Sequence, residues 1–244
     1  MPDRRRHKGL HPEDPKLFCA AQQPALRAAT RDLSWLYGHG YKPTSSLKLV
    51  GDRYALTERQ RAAVSRCACA DAGVAARQSR MLQPDAVRGE HLVIDGFNLL
   101  TTLEVALSGG VVLLGRDGVL RDIAGVHGSY RRVQETLPAI AALGAYLQSL
   151  EIRSSAWLLD RPVSNSGRLR AALLEHAASA GLHWSVEVVP DPDKLLAASD
   201  AVVASADGVV LDRAARSFNL ARFCLEASSI EAFIVDLSSA ADPA

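Results

Sequence analysis

No run of about 18 apolar residues passes through this chain unbroken, so a membrane-spanning helix is not expected. The nearest candidate, residues 105–114, is interrupted by Ser108, Gly109 and Gly110. No apolar stretch follows the basic Arg4, Arg5, Arg6 and Lys8, which argues against a secretory leader and for the cytoplasm. Cysteine is sparse. Cys19, Cys67, Cys69 and Cys224 match no zinc spacing, and the one close pair is too close for the usual C-x-x-C ligands. They read as reduced, small apolar side chains. No G-x-G-x-x-G follows the first strong strand, which disfavours a dinucleotide site. No G-x-S-x-G elbow or Cys–His pairing stands out either, which disfavours covalent catalysis. Internal repeats and low-complexity tracts are also missing.

What is present is a chain of 244 residues, 48% apolar and 23% charged, enough for one large domain or two smaller ones. Its charge is divided. Residues 1–90 carry 16 Lys and Arg against 9 Asp and Glu, whereas residues 91–244 carry 12 against 18. A basic part suits a polyanion and an acidic part suits cations, although two ordinary solvated surfaces would look the same.

Residues 1–15 read as a flexible tail with prolines at 2, 12 and 15. Residues 16–80 read as a small, basic, mainly helical domain. Leu26, Leu33, Leu36 and Tyr37 share one helical face between Pro24 and Tyr37, with Gly38 and Gly40 as stop signals. Tyr41 to Tyr54 reads as irregular or briefly extended. Thr57 and Gln60 then make a capping box that opens a second helix, running to about Ala76. Residues 81–90, polar and carrying Pro84 and Gly89, read as a linker.

The composition changes at residue 91. Five short apolar runs each reach an aspartate: 91–95, 155–160, 184–191, 201–207 and 232–236. Helical stretches at 130–150 and 169–180 lie between them. Apolar strands alternating with helices predict a Rossmann-like parallel sheet with helices on both faces over residues 91–244. Residues 111–120 read as a small hairpin turning at Asp117-Gly118.

In such a sheet every parallel strand points its C-terminal end the same way, and ligands bind outside those ends. Such a topology would bring several of Asp95, Asp160, Asp191, Asp193 and Asp207 to one rim. Crowded like charges raise one another's pKa at a cost in stability that a divalent cation removes. Mg²⁺ or Mn²⁺ would suit these oxygen ligands, and would activate water and stabilise charge developing on a phosphodiester. One metal or two remains open. Each aspartate taken alone reads as readily as a helix cap.

The run Val93-Ile94-Asp95-Gly96-Phe97-Asn98-Leu99-Leu100 resembles the first strand of PIN-like and NYN-type ribonuclease domains. That resemblance, covering about residues 91–236, implies that Asp95 is a metal ligand and that Asn98 supports it. Ala204-Ser205-Ala206-Asp207 is similar to the group's later Thr-Ser-Asp strand, with an inserted alanine and no threonine. It implies Asp207 as a further catalytic acid and ligand, with Asp160 and Asp193 where additional acids are expected. The whole chain also resembles an uncharacterised bacterial and archaeal family that joins a helical N-terminal part to such a domain. The matching stretches include Arg31-Asp32-Leu33, Leu49-Val50-Gly51-Asp52-Arg53-Tyr54, Arg121-Asp122-Ile123-Ala124-Gly125 and Asp160 to Gly167.

Several side chains read as substrate contacts. Ser164, Asn165 and Ser166 open a helix whose free N–H groups, with Arg168, suit a phosphate; plain capping is the equal alternative. Lys194 suits a phosphate or its neighbour Asp193. Asp117, Arg121, Asp122 and His127 read as a flap over the crevice. In the N-terminal part Arg27, Arg31, Lys48, Arg53, Arg59, Arg61 and Arg66 suit a polyanion. Trp35, Tyr41 and Tyr54 suit stacked bases, though Trp35 reads foremost as core. The function expected is a metal-dependent phosphodiester hydrolase acting on RNA. Two alternatives remain: a non-catalytic nucleic-acid binder, and an enzyme for a small phosphorylated metabolite or nucleotide.

Overall fold

The computed structural model describes residues 11–123, 130 and 132–238. Helices α1 (Asp14–Leu17), α2 (Gln23–Gly38), α3 (Pro43–Arg53), α4 (Glu58–Cys67) and α5 (Asp71–Arg80) come first. Strand β1 (Met81–Leu82) and a 3-10 turn (Pro84–Val87) lead to β2 (His91–Asp95) and α6 (Gly96–Leu107). The hairpin β3 (Val111–Leu114) and β4 (Leu120–Asp122) follows, then α7 (Thr136–Ser149), β5 (Ser154–Asp160), α8 (Ser166–Ala180) and β6 (Trp184–Val189). The chain continues with α9 (Pro192–Ala197), β7 (Val202–Ala204), α10 (Gly208–Arg213), β8 (Ser217–Phe218), α11 (Leu220–Ala227) and β9 (Phe233–Asp236). No helix among the described residues is long and apolar enough to cross a membrane.

Six strands form a parallel sheet in the order β1-β8-β7-β2-β5-β6. Strand alternation divides its side chains between two faces. Leu92, Ile94, Trp157, Leu159 and Val202 pack under α6, α7, α8 and α11 in the main core. Val93, Leu158, Val189 and Val203 face the other way, against Leu196 of α9 and Val210 of α10.

The structure departs from the sequence reading in five places. The apolar run at 233–236 does not join the main sheet; β9 pairs with β3 in a second sheet of order β4-β3-β9. Strand periodicity marks a strand but not its partner. That second sheet lies between two cores, with Val112 and Leu120 toward α6 and Val111, Leu113 and Val235 toward Leu26, Leu33 and Val64 of the N-terminal helices. Residues 43–53 are helical rather than extended, because Pro43 sits in the first turn where its fixed φ suits a helix. The helix expected to run to Ala76 stops at Cys67, and the extended residues 68 and 70 turn the chain into α5. The carbonyls of Cys67 and Cys69 freed by that turn accept from the backbone N–H and the guanidinium of Arg116. The expected tail contains α1, whose buried Asp14 is paired with Arg59, while residues 1–10 lie outside the description. The expected linker carries β1, which pairs with β8 and joins the helical part to the sheet.

Candidate functional site

Strands β7, β2, β5 and β6 are neighbours, and each delivers an aspartate at or just beyond its C-terminal end. Asp95 ends β2. It is 7% exposed and caps α6, one carboxylate oxygen accepting from the Asn98 N–H at 3.4 Å. The other accepts from the Ser205 hydroxyl at 2.8 Å. Gly96 follows because a side chain there would meet the Leu158 carbonyl at 3.1 Å and the Leu159 side chain at 2.5 Å. Burial pushes the Asp95 carboxyl up to about 7, and the charges of Asp193 and Asp207 push the same way; the hydrogen bond from Ser205 opposes.

Asp207 caps α10, accepting from the Val209 and Val210 N–H groups at 2.8 and 3.1 Å. Its own N–H donates to the Ser205 hydroxyl oxygen at 3.0 Å. Asn98 accepts the Ala206 N–H at 3.2 Å and so ties the β7 loop to the start of α6. Asp191 caps α9 through the Lys194 N–H at 3.0 Å. Asp193, in the first turn of α9, has its carboxyl raised by burial and then by Asp207, Asp160 and Asp191. Asp160 is raised by burial and by Asp191.

The acids thus share one electrostatic neighbourhood. Among the described residues none of these five has an ion pair within 4 Å. Nor do any three His, Cys, Asp or Glu side chains, among the same residues, stand close enough to hold a metal as a ready cage.

The expected substrate contacts fall into two sets. Ser164, Arg168, Lys194 and Arg53 are exposed, and Arg66 is half-buried. Others are occupied. Arg121 is buried and pairs with Asp117, so it does not face a crevice. Arg59 pairs with Asp14 at 2.5 Å. The buried Ser166 hydroxyl is directed at the Asp160 and Val163 carbonyls, and the Asn165 amide donates to the Tyr130 carbonyl. These are braces of the β5–α8 turn. Asn165 itself lies in the left-handed region at φ 69°, where Asn is among the tolerated residues. His127 lies outside the described residues. Trp35 is not core: it is 58% exposed and stacks on His39 with ring centroids 3.9 Å apart. It borders a groove of about 370 Å³ lined by Asp32, Leu36, Leu49, Val50 and Arg53.

Residues 84–223 match the family described as Domain of unknown function (DUF5616). The chain belongs to the DUF5616 family. Residues 25–80 match a second description, Protein of unknown function (DUF434), so α2 to α5 correspond to DUF434 and the acidic rim to DUF5616. An "Uncharacterized protein MJ0935" of Methanocaldococcus jannaschii is 28% identical over 187 residues, covering 77% of this chain and 89% of its own length. No solved structure matches the chain. The expected pairing of a helical N-terminal part with an α/β part therefore stands, and strand β1 lies between the two matched stretches. Sequence reading placed Ser205 in a motif but missed its bond to Asp95. Within the DUF5616 stretch that signal was faint, because only the sheet order makes β7 and β2 neighbours.

Proposed function

We propose that this chain is a divalent-cation-dependent phosphodiesterase of the PIN-like/NYN type that acts on RNA, with one or two of Asp95, Asp193 and Asp207 as direct ligands and the other acids of the rim, Asp160 among them, beside the ion. One observation carries the reading. A carboxylate at a strand end is raised first by its burial and further by Asp193 and Asp207, and among the described residues no basic side chain lies within 4 Å to neutralise it. That arrangement is costly for an apoprotein and is relieved by bound positive charge.

The donor set is chemically suitable. It consists of oxygens only, and Mg²⁺ usually takes one or two carboxylates, keeping waters and substrate phosphate for the rest. A three-carboxylate cage is therefore not required of it. A cation bound there would neutralise phosphate charge and lower the pKa of an attacking water. The chain's residues do the rest. Ser205 and the Asn98 N–H fix the Asp95 carboxylate, and Asn98 holds the β7 loop beside it. Ser164, Arg168 and Lys194 are free to meet phosphates along the rim. Trp35 offers a stacking face for single-stranded RNA, and Arg31 and Arg53 share a single acidic partner, Asp32, on the groove that Trp35 borders, which leaves positive charge in excess there.

With Mn²⁺ or Mg²⁺ the purified protein is expected to cleave single-stranded RNA, and Asp95→Asn is expected to stop it. Intact substrate with both metals across several RNAs would reject the reading. The want of a ready cage favours a second one, RNA binding without catalysis. In that case binding is salt-sensitive, needs no metal and survives Asp95→Asn.

A further inference from the structure

We propose that Arg77, Asp117 and Arg121 form a buried ionic clamp that positions Ser205 and Asp207 against Asp95, so that the N-terminal helical part completes the acidic rim. The three side chains are 8%, 1% and 5% exposed and come from α5, the hairpin turn and β4. Arg121 grips Asp117 with both terminal nitrogens, at 2.7 and 2.6 Å, and its Nε donates to the Ala206 carbonyl at 2.9 Å. Arg77 donates to Asp117 at 2.7 Å, to Asp212 at 2.7 Å and to the Gly208 carbonyl at 3.1 Å. The two carbonyls flanking Asp207 are thus each held by one guanidinium, and both guanidinium groups answer to a single aspartate.

From the clamp the linkage runs inward. The pinned loop carries the Ser205 hydroxyl, which accepts from the Asp207 N–H and donates to Asp95. Burial opposes the charge on Asp117, yet Arg121 and Arg77 outweigh it and hold that carboxyl at about 2. The clamp is therefore ionised throughout any working pH. Two glycines make room for it. A Cβ on Gly115 would lie 2.5 Å from the Arg121 guanidinium, and one on Gly208 would lie 3.0 Å from that of Arg77.

Stability alone is a weak reason for such a network, since apolar residues of similar volume are often as stable or more so. What rigid guanidinium forks add is direction, because their donors point at fixed angles. Groups that orient a ligating side chain typically change metal affinity by about 10–100-fold when removed.

The site meant here is the one read above as a cation site, so the test uses two readouts, one of them independent of any metal. In full-length protein, Arg77→Lys and Asp117→Asn are compared with wild type by amide hydrogen exchange and by Mn²⁺ titration. Exchange at Asp207, Val209 and Val210 is expected to rise at least about tenfold more than at the β5 amides, with Mn²⁺ binding weakened by about 10-fold or more. A merely structural network would raise exchange evenly. Even or unchanged exchange at 207–210 overturns the clamp, whatever the melting temperature does. If wild-type protein binds no Mn²⁺ while the local exchange rises as expected, the hydrolytic reading falls and the clamp stands. Should Asp117→Asn fail to fold, Arg77→Lys decides, because Arg77 lies at the outer, Asp212 end of the network.

Discussion

Asp95 is the residue on which most rests, and its protonation gives a consequence for stability that needs no substrate. Its folded carboxyl sits at about 7, raised first by burial, against an ordinary value of 3.8. Between those values the folded state binds more proton than the unfolded state. Stability from this group is therefore fully present below pH 4 and is lost as pH rises to 7. Asp95→Asn removes the charge but keeps the shape. At pH 8 without metal it is expected to be more stable than wild type, by on the order of 2–4 kcal/mol, with the gap closing by pH 4. Calorimetric melts of both proteins at pH 4, 6 and 8 check this. A gap that stays constant with pH would contradict the buried, raised carboxyl. Its place at the end of β2 and the start of α6 was legible because Asp95, Gly96 and Asn98 fall within four consecutive residues and their cap geometry is local. Ser205 was not, since its partner is 110 residues away and only the β2–β7 pairing brings them together.

At the scale of elements, the rim depends on how closely α6 starts against β5. Gly96 is the first residue of that helix, and its missing Cβ lets the turn approach the Leu158 carbonyl. A flexible Leu159 methyl can move aside, but a carbonyl inside a sheet cannot. Gly96→Ala gains about 1 kcal/mol of helix propensity and loses about 1–3 to overpacking, so it is expected to destabilise. It should also lift Asp95 away from Ser205. Urea unfolding checks the first point, and a more stable variant would refute the close-approach argument. Elements with local signals were read correctly: the Thr57–Gln60 capping box is formed, and the Asp117-Gly118 turn joins β3 to β4 with Gly118 at φ 79°. Helix α3 was misread because its one start signal is Pro43, and its apolar residues are few. Strand β9 was recognised but given the wrong sheet, because its partner β3 is more than 100 residues earlier and hydropathy is blind to such pairings.

At the scale of the whole molecule, the two matched stretches are interlocked instead of strung on a linker. Leu26, Leu33 and Val64 of the helical part share a core with Val111, Leu113 and Val235 of the second sheet. Arg27 donates to the Asp236 carbonyl, Arg80 to those of Asp212 and Ala214, and β1 extends the main sheet. A charge difference between the parts was visible in the sequence, but it marks surfaces and carries no information about a shared interior. Parts that share a core unfold together when neither retains enough buried area alone. Two cysteines report the two parts. Cys67 ends α4 and Cys224 lies in α11, both buried, with burial pushing each thiol up to about 12. Unfolding returns each to an ordinary thiol of about 8.5, and only then does it react readily at neutral pH. Brief labelling across a urea series, located by mass spectrometry, is therefore expected to show one midpoint for both. Cys67 reacting at clearly lower urea than Cys224 would mean that the helical part melts alone. In that event Arg77 would leave Asp117 while the sheet stayed folded, and the rim would loosen before the protein did.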